Sequence, residues 1–120
     1  MKRPSFRSLF ALLLLLSAAL PAAAGETFLA ELEDLPLAPG LTELPGGLLF
    51  DSADGRIVEA KASGEVSAAW VQQFYEQSLA QLGWQSTGPL QFRRDNESLK
   101  ISLQERGKLL TAHFTLTPAH

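Results

Sequence analysis

Cysteine is absent from all 120 residues, and this one absence excludes a good deal of chemistry. Thiol nucleophiles, disulfide exchange and cysteine-based metal sites are ruled out, and so is the lipid-bearing cysteine of an anchored lipoprotein. A small secreted domain of a eukaryote usually offsets its limited core with disulfides, so a cysteine-free exported domain points to a bacterial envelope. Also missing is an apolar run of the ~20 residues that span a bilayer. The longest run, Leu9 to Leu20, is interrupted by Ser17 and stops at Pro21. The catalytic signatures H-E-x-x-H and G-x-S-x-G, the P-loop and the dinucleotide fingerprint are absent too.

What is present at the front is a processing signal. Lys2, Arg3 and Arg7 form a basic segment, the Leu9–Leu20 run follows it, and Ala22-Ala23-Ala24 supplies small residues after Pro21. This order reads as a Sec-type secretory signal peptide of residues 1–24, cut between Ala24 and Gly25. Lys2-Arg3 is not the pair of a twin-arginine signal, and an uncleaved membrane anchor would want a longer run. The expectation is a soluble periplasmic protein with no membrane span after cleavage. Cleavage leaves seven basic and thirteen acidic side chains, a net charge of −6. That balance disfavours nucleic acid or an anionic membrane surface as the main partner, since both require a cationic footprint.

Beyond the signal there is room for one domain. Residues 25–47 form a Pro/Gly-rich arm punctuated by Pro36, Pro39, Pro45, Gly40, Gly46 and Gly47. Within it Phe28, Leu29, Leu32 and Leu35 have the spacing of a short amphipathic helix that Pro36 would end. The rest reads as an extended arm whose leucines dock on the body. The body, residues 48–120, opens with two strand-like runs, Leu48–Asp51 and Arg56–Ala62, joined across an Asp54-Gly55 turn. Val58, Ala60 and Ala62 share one face of the second run; Ile57, Glu59 and Lys61 share the other.

The helix has the clearest signature. Ser67 is an N-cap, Val66 can staple to Val71, and Val71, Phe74, Tyr75, Ser78, Leu79 and Leu82 form one stripe. Gly83 and Trp84 then fit a left-handed closure over Leu79. Three further strands follow: Leu90–Arg93, a run in which Leu99, Ile101 and Leu103 alternate with polar residues, and one built on Leu110, Ala112, Phe114 and Leu116. The predicted fold class is α+β with the order β-β-α-β-β-β. One helix covers one face of an antiparallel sheet of four to five strands.

Candidate chemistry is sparse. His113 lies between Thr111 and Thr115 on a polar strand face and His120 is terminal, so neither has partners at metal spacing. Asp51 and Asp54 flank a hairpin, where aspartates usually serve the turn; Glu31, Glu33 and Asp34 cluster in the arm. Asp51, Asp54 and Glu59 lack the order of a calcium loop. Asn96-Glu97-Ser98 matches a glycosylation sequon that matters only in a eukaryotic host. No catalytic, cofactor-binding or metal-binding residue is assigned, and no cofactor is expected. Trp70, at the margin of the helical stripe, either seals the sheet edge or stands exposed as a contact anchor. Packing into the core is the favoured reading for so large a ring. Arg93 and Arg94, with Lys100, Arg106 and Lys108, give the C-terminal hairpins a basic tilt opposite the acidic arm. Trp70, Arg93 and Arg94 are therefore the candidate partner-binding residues.

The segment from Gly55 to Trp84, above all VSAAWVQQFYEQSLAQLGW, resembles uncharacterised small exported proteins of alphaproteobacteria. These carry a β-hairpin, a helix of the form FY…L…LGW and a following β-meander. The resemblance implies an exported domain and transfers no catalytic residue. The functional expectation is a non-catalytic periplasmic binding or envelope-assembly domain with an envelope protein as partner. The alternatives are a small carboxylate-based hydrolase and a carrier of a small apolar ligand. The carrier predicts an apolar cavity between helix and sheet.

Overall fold

The structure is a computed structural model and describes residues 27–119. The expected signal peptide, its expected Ala24–Gly25 junction and His120 lie outside the described residues. The helix, α1, spans Ala68–Gln81. The Ser67 side chain accepts the Trp70 N–H at 3.1 Å, capping one of the donors that a helix start leaves free. At the other end Gly83, at φ +92°, donates to Ala80, and the Trp84 N–H reaches back to the Leu79 carbonyl at 2.9 Å. These two bonds are the six-to-one and five-to-two closure that a left-handed glycine permits. Val71, Tyr75 and Leu79 form the buried face of α1. Leu82 departs from the expected stripe and is 42% exposed, because as the C-cap it has already left helical geometry.

The strands are β1 (Thr42–Glu43), β2 (Leu48–Ser52), β3 (Gly55–Gly64), β4 (Gln85–Gly88), β5 (Gln91–Arg94), β6 (Glu97–Arg106) and β7 (Leu109–Pro118). They form one antiparallel sheet in the order β1-β3-β7-β6-β5-β4, with β2 also paired to β3. The class is α+β as expected, but the sheet has seven strands, not four to five. The two additions have a common cause. Both β1, two residues long, and β4, wholly polar, lack an alternating pattern; each is a strand only through its pairing with β3 or β5. Leu90, expected to open a strand, instead turns at φ +54°. A tight turn at Gly107 and Lys108 joins β6, which runs to Arg106, to β7, which starts at Leu109.

Alternation decides which side of the sheet is covered. Val58, Ala60, Ala62, Leu99, Ile101, Phe92 and the even-numbered residues Leu110 to Leu116 are all buried on one side of the sheet. The opposite face carries Glu59, Lys61, Lys100, Ser102, Thr111 and His113. The helix does not cover the buried face alone. Leu29, Leu32, Leu35, Ala38 and Leu41 of the Pro/Gly-rich segment are buried in the same core.

The arm residues do not form the expected amphipathic helix. Leu29 and Leu35 are joined by a backbone hydrogen bond of 3.1 Å, Phe28 and Pro36 form an isolated bridge, and the Leu37 N–H reaches Thr27. The chain closes on itself as a loop, and a loop turns leucines three apart inward just as a helix would. Tyr75 locks this loop to α1: its hydroxyl donates to the Pro36 carbonyl at 2.8 Å and accepts the Ala38 N–H at 3.0 Å. At the far end the arm crosses β3 so closely that a Cβ on Gly64 would collide with the Gly40 carbonyl.

Candidate interaction surface

Along the outer side of β3, β1 occupies Ala62–Ser63 and β2 occupies Gly55–Glu59. The far side of β2 is an edge. The two-residue turn between Ser52 and Gly55 makes that pair the one exchanging backbone hydrogen bonds. Alternation then turns the N–H and C=O of Leu49 and Asp51 outward. The Leu44 N–H bonds the Lys61 carbonyl at 2.8 Å, which agrees with odd-numbered residues of β3 facing this side.

The side chains of β2 are as open as its backbone. Leu48, Leu49 and Phe50 are 59%, 50% and 56% exposed, and the whole strand is exposed. By register, Leu48 and Phe50 share the open face with Glu59 and Ile57; Leu49 and Asp51 share the covered side with Val58 and Arg56. The opposite edge of the sheet is managed differently. There β4 is short and polar, its register slips between Ser86 and Gly88, and Pro89 follows it. Short length, irregularity and proline are the usual means of blunting an edge. A free edge bearing three successive large apolar side chains is a template for strand addition.

Beside Leu49 lies an open groove of about 510 Å³, lined by Ala30, Glu31, Glu33, Asp34, Leu49 and Arg56. Its guanidinium is already committed. Arg56 holds Glu97 through two nitrogens, at 2.7 and 3.1 Å, and that hydrogen-bonded carboxylate raises its pKa further. Asp34 is held by Arg94 at 2.6 Å. Partial burial opposes ionisation of Asp34, but the Arg94 hydrogen bond, a backbone N–H and the charges of Arg94 and Arg56 outweigh it, and its pKa is lowered. Glu31 and Glu33 form no hydrogen bond or ion pair among the described residues. The groove is therefore net acidic.

The three sequence candidates do not meet. Trp70 is 42% exposed, a departure from the expected core packing. Its ring sits against Phe74, centroids 6.1 Å apart, and its Nε1 points toward the Pro39 carbonyl at 3.5 Å. The buried face of α1 is Val71, Tyr75 and Leu79, and Trp70 lies beside it at the margin. Farther along the same helix a small cleft of about 170 Å³ is lined by Phe28, Pro36, Phe74, Ser78, Gln81 and Leu82. Arg93 is exposed on the open face of β5. Arg94 is engaged within the domain: besides Asp34, it donates to the Leu82 carbonyl at 3.2 Å and lies 4.4 Å over the Trp84 ring. It ties the arm loop, the helix end and β5 together.

Of the other candidates, His113 places Nε2 3.9 Å from Glu59, beside a cavity of about 140 Å³ that Pro45, Gly46, Gly47 and Lys61 also line. Among the described residues no group of three or more His, Cys, Asp or Glu is arranged to hold a metal. Between helix and sheet, where a ligand carrier would keep its cavity, Tyr75, Leu79, Phe92 and Phe114 fill the space at no more than 1% exposure. Sequence reasoning overlooked Leu48, Leu49 and Phe50 as a surface. Their one signal was the failure of LLF to alternate, on a hairpin arm whose partner run alternates cleanly.

No family model, curated protein or solved structure matches the chain. Among the described residues, no helix is long and apolar enough to cross a membrane.

Proposed function

We propose that this chain is an exported periplasmic binding or envelope-assembly domain, non-catalytic, that holds a partner protein along the free edge of β2. The supporting observation is the strand itself: Leu48, Leu49 and Phe50 are each at least half exposed on an edge with outward-facing backbone groups. Leaving three such half-exposed side chains in water forfeits about 1–1.5 kcal/mol apiece relative to full burial, and an added strand recovers part of that while pairing the edge. The leader supports export, and the absence of cysteine supports a soluble form free of lipid.

Two measurements test this in cells of a Gram-negative host. Fractionation with N-terminal sequencing should find the protein in the periplasm starting at Gly25; a cytoplasmic protein with an intact leader sinks the export reading. A photo-crosslinking residue at Phe50 should give a discrete adduct that the same residue at Ser102, on the polar open face, does not. Equal labelling at both positions, or none at either, counts against a β2 interface.

A further inference from the structure

The edge of β2 specifies more than the existence of a partner. Building on the reading of β2 as a docking edge, we propose that its occupant is an extended segment of another protein in which cationic and apolar residues alternate. A strand laid against β2 places successive side chains on opposite faces. Residues beside Leu48 and Phe50 fall on the open face, where Ile57 extends the apolar surface. Residues beside Leu49 and Asp51 fall on the covered side, against the groove lined by Glu31, Glu33 and Asp34.

Charge complementarity selects the chemistry of the second set. Around that groove five carboxylates, those of Glu31, Glu33, Asp34, Asp51 and Glu97, face the two guanidiniums of Arg56 and Arg94, both already bound to carboxylates. A lysine or arginine beside Leu49 lays its aliphatic stem on that leucine and carries its charge to the unpaired Glu31 and Glu33. The same field disfavours a second copy of this chain. Antiparallel pairing of two β2 strands about Phe50 would set Asp51 of each beside Leu49 of the other and bring the two acidic grooves together, a like-charge juxtaposition. The carboxylates thus protect an apolar edge from self-association while attracting a cationic strand.

The test uses the purified protein and three synthetic peptides of equal length: Lys and Val in strict alternation, the same residues in two blocks, and Glu and Val in alternation. Binding is followed by anisotropy, and contacts by amide chemical shifts. The alternating Lys–Val peptide should bind at least about tenfold more tightly than the blocked one, weaken steeply with salt, and shift the Leu49 and Asp51 amides most. Leu49→Pro removes an outward N–H from an edge where proline is tolerated and should abolish binding. Asp51→Lys, a surface change that leaves the ladder intact, should weaken it about tenfold or more. Equal affinity for the blocked peptide, preference for the Glu–Val peptide, or insensitivity to both substitutions overturns the proposal. So does a dimer formed through β2 by the protein alone. If the Phe50 crosslink forms in cells while the alternating Lys–Val peptide fails to bind, the charge rule is wrong and the docking edge stands. If both fail, the docking edge falls with it.

Discussion

Replacing Tyr75 by phenylalanine removes one oxygen and leaves the ring against Phe114 and Phe74, whose centroids lie 5.4 and 5.0 Å away. That oxygen makes the buried hydrogen bonds between α1 and the arm. Without it the Ala38 N–H and the Pro36 carbonyl lose their partner in a buried setting. A buried donor or acceptor left unsatisfied costs about 1–3 kcal/mol. Two groups are orphaned here, and some relaxation of the loop offsets part of the loss, so Tyr75→Phe should destabilise by ~2–3 kcal/mol. For a domain of this size that lowers the melting temperature by roughly 10–20 °C.

The same hydroxyl has a pH signature. Burial raises the Tyr75 pKa above its ordinary value of 10.0. The folded state therefore keeps a proton that the unfolded chain releases, and the stability tied to it is present below pH ~10 and lost as pH rises toward the folded value. Above pH ~10 the wild type should lose up to ~1.4 kcal/mol per pH unit relative to Tyr75→Phe. Urea unfolding from pH 7 to 11 measures both effects. A loss under ~0.5 kcal/mol at pH 7 with an unchanged urea slope, or parallel alkaline profiles for the two proteins, would refute the view that this hydroxyl fastens the arm.

Other changes probe the remaining joints. Gly64→Ala sets a Cβ against the Gly40 carbonyl at the crossing of arm and β3, and should cost more than ~3 kcal/mol by the same urea assay; a neutral result means that the arm can lift away. Ser67→Ala removes the acceptor for the Trp70 N–H and should cost ~1 kcal/mol, with faster hydrogen exchange confined to the first turn of α1. Asp34 is ionised more readily folded than unfolded. Its link to Arg94 is therefore fully present above pH ~4 and fades as pH falls through the lowered pKa. Asp34→Asn should flatten that acid limb of the stability profile while leaving the neutral and alkaline limbs parallel to wild type.

Periodicity along the chain determined by itself everything that depends on neighbours in sequence. The α1 boundaries were legible because Ser67 and Gly83 act within one turn of the residues they cap. The covered face of the sheet was legible because strict alternation from Leu99 and from Leu110 allows one set of side chains inside. The proposed leader likewise rests on a purely local pattern of charge, apolar length and small residues. Tertiary structure alone decided the rest. β4 is polar and becomes a strand through β5, and β1 through β3. Leu29, Leu32 and Leu35 fit a helix or a closed loop equally by spacing, and the bonds across Leu29–Leu35 and to Tyr75 select the loop. Arg94, a candidate for an outside partner in the sequence, is occupied by Asp34 from 60 residues away. The openness of β2 is the sharpest case. Leu-Leu-Phe reads as core in one dimension, and it faces water because β2 pairs with β3 alone and, among the described residues, no strand pairs with its other side.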